Sequence, residues 1–341
     1  MADTLGIVLT VFLLFVAGIF IWLAFSPFEM LGWWAGWFGD TIYWESPPEE
    51  EIAYAGEKEC YILFFSGVGR ATGETLSFRE RDFLRRLAEA NPQAHVIDDI
   101  FPYAVNNQSL TSHPLLAGLW RVALRSKAGG VPLAGYFINI RNIMQILISA
   151  DRRYGPLFNQ GVAEVIVNGL MRHGYTLESN APVFLIGYSG AGQMAVGSSG
   201  YLKRWLQSPV YVISLGGVFG SDPALLQIDQ LYHLVGSRDA VEPWWILAPG
   251  RWSFFATSEW NRAKRQGRIT IVNLGPMRHT GGGGYLDAKK KLADGRAFVE
   301  ATVDAVSNIV DTHPLLPAPN PPALVQVEAT SAPAPLQVEE G

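Results

Sequence analysis

The chain has 341 residues, of which 49% are hydrophobic and only 17% are charged, and its formal net charge is -5. This length accommodates one large domain or two small ones, and the apolar composition fits a globular domain joined to a membrane segment. The negative charge argues against nucleic acid as the main partner, and the single cysteine, Cys60, excludes an intramolecular disulfide.

An almost continuously apolar run without any charge extends from Leu5 to Phe25. A helix rises about 1.5 Å per residue, so this run is long enough to span a bilayer core of about 30 Å. A cleaved signal peptide is disfavoured because no basic residue precedes the run and no small-x-small site follows it. We therefore expect residues 1–27 to be a retained transmembrane anchor. Its orientation stays open, because the first basic residue is Lys58.

Aromatic residues dominate the following stretch, residues 28–58. Trp33, Trp34 and Trp37 suit the headgroup layer of a membrane, where the ring is in apolar surroundings while the N–H stays hydrated. We interpret this stretch as an interfacial helix and a polar linker. The alternative is the return leg of a helical hairpin, which would put the main domain on the same side of the membrane as the N terminus.

Short apolar runs alternate with helical patterns between residues 59 and 311. This alternation predicts a parallel sheet covered by helices on both faces. The predicted strands are residues 61–65, 95–100, 182–186, 209–215, 230–235 and 268–274. The predicted helices are residues 78–90, 162–173, 194–206 and 286–310, and Gly295 marks a candidate break in the last of them.

Two segments depart from this alternation. Residues 101–156 are predicted to form a mostly helical insertion, or cap, whose six basic side chains are opposed only by Asp151. Either these helices are packed and their basic faces are hydrated, or the basic side of the cap faces anionic lipid. Residues 312–341 are rich in proline and alanine and have too little apolar surface to fold, so we expect a disordered tail.

A glycine-rich turn follows the predicted strand at residues 182–186. Ser189 lies between Gly187 and Gly190, and Ala191 and Gly192 continue towards a helix. A serine in so tight a strand-to-helix turn has strained backbone angles and needs small neighbours. The turn raises the serine hydroxyl above the N–H groups at the start of the helix.

This turn resembles the nucleophile elbow of the α/β-hydrolase superfamily, although Ala191 replaces the last glycine of the usual G-x-S-x-G pattern. Asp239 and His279 follow two later strands, and the order Ser189, Asp239, His279 is that of the superfamily's catalytic triad. The resemblance covers about residues 61–310. It implies an α/β-hydrolase fold, in which side chains at the carboxyl ends of the strands meet.

The resemblance also implies a role for each residue. His279 would take the proton of Ser189 during attack on a carbonyl carbon, and Asp239 would orient the imidazole and stabilise its charge. An oxyanion hole would come from backbone N–H groups. These belong to Gly190 and to the loop after the first predicted strand, formed by Gly67, Val68 and Gly69.

Other residues in the sequence could take the role of the acid or the histidine. Asp222 follows the preceding strand and is an alternative acid, and Glu242 is close in sequence to Asp239. His233 lies inside a strand and is predicted to be a core histidine. No metal-ligand spacing or phosphate-binding loop is present, so we expect no metal and no cofactor.

Nine of the eleven tryptophans lie before residue 45 or within residues 244–260. Trp244, Trp245 and Trp252 either form a rim or lid that contacts the membrane, or they pack on the N-terminal helices or in a core. We expect a membrane-anchored serine hydrolase, esterase or lipase-like, whose partners are membrane lipid and a hydrophobic acyl ester. The alternative is a non-catalytic hydrolase-like scaffold or subunit that contacts a membrane protein through its tryptophan-rich surfaces.

Overall fold

A computed structural model describes residues 58–69, 76–105, 132–177 and 179–313, with eight helical positions near the N terminus (6, 7, 10, 11, 13, 14, 17 and 18). Most of the predicted anchor, Trp33, Trp34, Trp37, residues 106–131 of the insertion and the predicted tail beyond residue 313 lie outside this description. Among the residues described, no helix is both long and apolar enough to cross a bilayer.

Six strands form one sheet in which every neighbouring pair is parallel. The strands are β1 (Cys60–Phe65), β2 (Ala94–Ile97), β3 (Val183–Tyr188), β4 (Val210–Leu215), β5 (Gln230–Val235) and β6 (Ile269–Asn273). Their order across the sheet is β2-β1-β3-β4-β5-β6. The prediction of a parallel α/β sheet is confirmed. β6 is an edge strand whose residues are all at least partly exposed to solvent.

Helices cover both faces of the sheet because the central strands are apolar on both sides. The helices are α1 (Phe78–Ala90), α2 (Pro132–Ala150), α3 (Gly155–Arg172), α4 (Ala191–Leu206), α5 (Glu259–Arg265) and α6 (Phe298–Thr312). Alternate residues of β1 point to opposite faces, as the period of two requires. Leu63 joins the core that includes α3 and α4, whereas Ile62 and Phe64 join the core that includes α1 and α6.

The predicted helix over residues 286–310 is wrong in its first half, because only Phe298–Thr312 is helical there. The side chain of Asp287 accepts hydrogen bonds from the N–H groups of Lys289 and Lys290, and Asp294 accepts one from the N–H of Arg296. Hydrogen bonds from nearby backbone N–H groups to an aspartate side chain hold the chain in turns and so compete with helix formation. The N–H of Ala297 donates to Glu300, and the helix begins at that cap.

The described part of the insertion contains α2, and its basic residues have different surroundings. Arg141 is almost fully buried and donates to the carbonyl oxygen of Tyr103. Arg152 and Arg153 are largely exposed and form ion pairs with Glu259 and Asp151. Arg141 therefore belongs to neither a hydrated basic face nor a lipid-facing one.

The direction in which the chain crosses the sheet reverses between β1 and β3. β2 lies on one side of β1, and all later strands lie on the other side. Loops at such a reversal leave in opposite directions and open a crevice at the carboxyl ends of the strands. Phe65 pairs with Gly187 in register, so Gly67 and Ser189, each two residues further on, lie next to each other across this crevice.

Candidate active site

Ser189 lies in the tight turn between β3 and α4 and has a φ of +58°, a left-handed conformation that is uncommon for residues other than glycine. Its N–H donates to the carbonyl oxygen of Leu215 at 3.1 Å, and its own carbonyl accepts from Gly192 at 3.0 Å and Val218 at 3.1 Å. These three backbone hydrogen bonds hold the serine in a strained conformation that its own preferences would not maintain.

Gly187 has no room for a side chain. A Cβ atom there would lie 2.7 Å from the carbonyl oxygen of Ala191 and 2.8 Å from the Cα of Gly192. Because these are backbone atoms, we expect Gly187→Ala to lower the free energy of unfolding by roughly 1–3 kcal/mol. Thermal denaturation of the full chain in detergent measures this effect. Gly282→Ala is the matched control, since a Cβ there meets nothing within 4 Å; equal melting temperatures for the two variants would contradict the prediction.

The three reactive side chains predicted from the sequence form one continuous hydrogen-bonded chain. The Oγ of Ser189 lies 2.7 Å from the Nε2 of His279, and the Nδ1 of His279 lies 2.9 Å from the Oδ2 of Asp239. The side chain of Asp239 is fully buried and that of His279 is 14% exposed. An ionised carboxylate can only accept, so Nδ1 carries the proton and Nε2 accepts from the serine hydroxyl.

Both carboxylate oxygens of Asp239 are held by donors other than His279. Oδ1 accepts from the N–H of Val241 at 2.8 Å and of Glu242 at 3.2 Å, and Oδ2 accepts from the hydroxyl of Tyr285 at 2.7 Å. Burial raises the pKa of Asp239, but the hydrogen bonds from His279, Tyr285 and Val241 outweigh it and keep the pKa below its ordinary value. Asp239 is therefore anionic and fixed in orientation.

Tyr285 is a fully buried residue that the sequence did not single out. Its hydroxyl donates to Asp239 and accepts from the N–H of Gly236 at 2.8 Å. Its ring lies against Gly216, which has a φ of +53° and where a Cβ atom would come within 2.5 Å of the ring. The hydroxyl of Thr302 in α6 donates to the backbone oxygen of Tyr285 at 2.9 Å. Tyr285 thus connects the final helix to the hydrogen-bonded chain of Ser189, His279 and Asp239.

The glycine-rich segment after His279 forms a closed turn. The N–H of Arg278 donates to the carbonyl of Gly283 at 2.7 Å, and Gly283 adopts a φ of +79°, which favours glycine. The N–H of Gly283 donates to the carboxylate of Asp287. On the other side, the hydroxyl of Tyr188 donates to the backbone oxygen of His279 at 2.7 Å, and the two rings stack. The turn therefore fixes the position of the imidazole.

The loop after β1, which is predicted to form part of an oxyanion hole, approaches Ser189 closely. A Cβ atom on Gly67 would lie 3.4 Å from the Cβ of Ser189. The carbonyl of Val68 accepts from the side chain of Asn142 in α2 at 2.7 Å. Within the described ranges, the backbone N–H groups of Val68 and Gly190 have no acceptor. Val68 lines the cleft beside Ser189, and Gly190 follows Ser189 directly in the chain.

A cleft of about 580 Å³ opens over Ser189 and His279, a volume that accommodates a small organic molecule. Gly67, Val68 and Gly69 line one side of the cleft. The other described lining residues are Ser66, Leu76, Ser77, Arg79, Glu80, Asn139, Tyr188, Thr280, Gly281, Gly284 and Leu286. The lining combines apolar side chains with hydrogen-bonding ones.

The alternative acids lie elsewhere. Asp222 caps a short 3-10 helix, Pro223–Leu226, and its Oδ1 accepts from the N–H of Ala224 at 2.9 Å. Glu242 contributes its backbone N–H, not its carboxylate, to the bonding of Asp239. His233 is a core histidine, as predicted: burial lowers its pKa to about 3, and its Nδ1 lies 3.0 Å from the Oγ of buried Ser214.

The described tryptophans of residues 244–260 fall into two groups. Trp260 is buried in the core, whereas Trp244 is 53% exposed and Trp245 and Trp252 are partly exposed. These last three residues do not line the cleft described above. Packing in a core therefore holds for Trp260, and membrane contact by the other three tryptophans stays a prediction.

No group of three or more His, Cys, Asp or Glu side chains suited to a metal ion occurs in the described part of the chain. Comparison with known protein families finds no match, and a search of curated proteins finds no significantly similar sequence.

Proposed function

We propose that this protein is a serine hydrolase with the α/β-hydrolase fold, which cleaves a hydrophobic acyl ester at a membrane. The observation that carries the proposal is the hydrogen-bonded chain from the Oγ of Ser189 through His279 to Asp239, with distances of 2.7 and 2.9 Å. The tight turn between β3 and α4 and the chain order of the three residues support the assignment of the fold.

In the proposed reaction, the Nε2 of His279 accepts the proton of Ser189 while Oγ attacks the carbonyl carbon of the ester. Asp239 stabilises the resulting imidazolium ion through Nδ1. The imidazolium then protonates the leaving alcohol, and an acyl-enzyme remains on Ser189. A water molecule, activated by the same imidazole, releases the acid and restores the serine hydroxyl.

The tetrahedral intermediate carries a negative charge on the former carbonyl oxygen. The free N–H groups of Val68 and Gly190 would stabilise that charge, and such a donor is typically worth roughly 10²–10³ in rate. Asn142 holds the carbonyl of Val68 at 2.7 Å, which keeps the loop in position before substrate binds.

A membrane ester is the favoured substrate class for two reasons. The uncharged apolar run Leu5–Phe25 supports an anchor that would keep the domain at the bilayer. The cleft is large enough for part of an acyl chain, and Val68, Leu76 and Leu286 give it apolar surface.

Pre-steady-state hydrolysis of p-nitrophenyl esters of graded chain length tests the proposal. We expect a burst of p-nitrophenol equal to the concentration of protein, followed by slower turnover, because deacylation is a separate step. Mass spectrometry should find the acyl group on the peptide that contains Ser189. Folded protein that gives neither a burst nor an acylated peptide would contradict the proposal.

Tyr285→Phe should lower kcat/KM about tenfold, because a hydrogen bond to a charged group contributes roughly 1.5–3 kcal/mol and the ring remains in place. Without the tyrosine hydroxyl, Asp239 binds protons and positively charged imidazole more tightly. Because the hydroxyl of Tyr285 helps to keep the pKa of Asp239 low, the acid limb of the kcat/KM profile should move to higher pH.

Tyr232→Phe is the matched control for this substitution, since its hydroxyl bonds to His313, away from the triad. A Tyr285→Phe variant that loses activity without any change in its pH profile would assign Tyr285 a purely structural role.

A further inference from the structure

Large apolar side chains are exposed in the segment that directly follows the acid of the triad. Leu247 is 77% exposed and Phe254 is 71% exposed, while Trp244, Ile246 and Phe255 are between 43% and 59% exposed. We call these five residues the apolar platform. Contiguous exposed apolar surface on a folded protein commonly marks a site of interaction with a protein or a membrane.

Contacts of Arg251 and Asn261 hold the platform segment in place. Arg251 is buried and lies over the rings of Trp260 at 4.1 Å and Phe219 at 4.6 Å. The side chain of Asn261 donates to the carbonyls of Trp252 at 2.8 Å and Phe255 at 3.1 Å. These contacts fix the backbone that carries the platform, while the platform side chains stay exposed to solvent.

Basic side chains adjoin the platform. Residues 244–268 contain five basic residues and one acidic residue, in a chain whose net charge is -5. Arg262, Lys264 and Arg265 of α5 are exposed, and no ion pair involves them in the described structure. The guanidinium of Arg265 donates to the carbonyl of Ala256 at 2.7 Å, directly beside the platform.

We propose that the apolar platform and the basic side of α5 dock together on a bilayer that contains anionic lipid. Apolar groups that enter the acyl boundary, beside cations that meet phosphate and carboxylate headgroups, are the combination that binds such surfaces. A bilayer is favoured over a protein partner because the same chain carries a 21-residue apolar run without charge, Leu5 to Phe25.

Docking there would bring the catalytic edge of the sheet to the membrane. The 3-10 helix Glu242–Leu247 begins where the N–H groups of Val241 and Glu242 bond to Asp239. This inference deepens the proposed function by giving the catalytic edge an orientation, but its test does not depend on ester hydrolysis.

The single native cysteine makes a site-specific test practical. Cys60 is fully buried, and burial raises the pKa of its thiol to about 12, so a thiol reagent reacts with an introduced cysteine instead. Leu247→Cys and Phe254→Cys, labelled with an environment-sensitive fluorophore, report on the platform. Glu89→Cys is the control. This exposed residue lies on α1, which packs on the face of the sheet opposite to the face that α5 covers.

The full chain is reconstituted into bilayers of phosphatidylcholine alone or with phosphatidylserine. With phosphatidylserine, we expect emission from both platform labels to shift to shorter wavelength and to be quenched by spin-labelled lipid. The label at position 89 should stay accessible to iodide. Replacing Arg262, Lys264 and Arg265 with Gln should shift the docking equilibrium by roughly 100-fold towards the undocked state, and high salt should act in the same direction.

Two results would overturn the proposal. Platform labels that iodide quenches as fully as the control label would mean that the surface stays in water. Labels shielded from both iodide and spin-labelled lipid would mean that protein covers the platform, from this chain or another. Absence of esterase activity would alter neither result, so the failure of the proposed reaction is distinguishable from the failure of docking.

Discussion

Ser189→Ala should abolish covalent labelling by a fluorophosphonate probe and lower kcat for ester hydrolysis by about 10⁶-fold, the scale of losing the nucleophile in a serine protease. The probe reacts only with a serine hydroxyl that a base can deprotonate. Among the described residues, the Oγ of Ser189 is the serine hydroxyl that lies 2.7 Å from an imidazole nitrogen and borders the cleft. Gel fluorescence of the purified chain in detergent measures the labelling.

The protein contains its own control for this experiment. Ser214 also lies beside a histidine, since its Oγ is 3.0 Å from the Nδ1 of His233, but both residues are buried. Ser214→Ala should therefore retain labelling. Folded wild-type protein that does not react, or Ser189→Ala protein that reacts normally, would remove the basis for an activated serine and favour a scaffold role.

Asp239→Asn should lower kcat by about 10⁴-fold while binding of substrate changes little. The amide cannot stabilise the imidazolium ion, and it favours the tautomer in which Nδ1 accepts and Nε2 no longer takes the serine proton. Steady-state kinetics with a soluble short-chain ester measure the effect. Asp222→Asn is the matched control and should stay within about tenfold of wild type, because Asp222 caps a separate 3-10 helix. Equal losses for the two variants would contradict the assignment of the acid.

Asp239→Asn should also differ from wild type in the pH dependence of its stability. The pKa of Asp239 lies below its ordinary value in the folded chain. Its carboxylate therefore contributes stability above about pH 4, and this contribution is lost as the pH falls through the lowered pKa. The difference in unfolding free energy between wild type and Asp239→Asn should narrow on acidification.

The parallel α/β sheet could be predicted from the sequence, and so could the three side chains that meet at the candidate site, because their signals are local. Each strand is a short apolar run, and Ser189 lies in a turn that requires Gly187 because Ala191 and Gly192, a few residues further on, leave no room for a side chain there. Asp239 and His279 each follow a strand end, and a parallel sheet brings strand ends together.

The supporting residues were not accessible, because their contacts join distant parts of the chain. Tyr285 bonds to Asp239 across 46 positions, and Asn142 bonds to Val68 across 74. Neither Tyr285 nor Asn142 is part of a sequence motif that would predict these contacts. The helix predicted at residue 286 failed for a different reason, since Asp287 uses its side chain to hold the backbone in turns that periodicity does not detect.

The position of β6 at the edge of the sheet has a consequence for how the proposed activity would be lost. Ser189 follows a central strand bonded on both sides, whereas His279 follows a strand bonded on one side only, with Ile271 50% exposed. Peripheral elements open locally at lower free energy than central ones. Mild heat or denaturant should thus detach the base from an intact nucleophile, so inactivation precedes unfolding and reverses when the edge closes again.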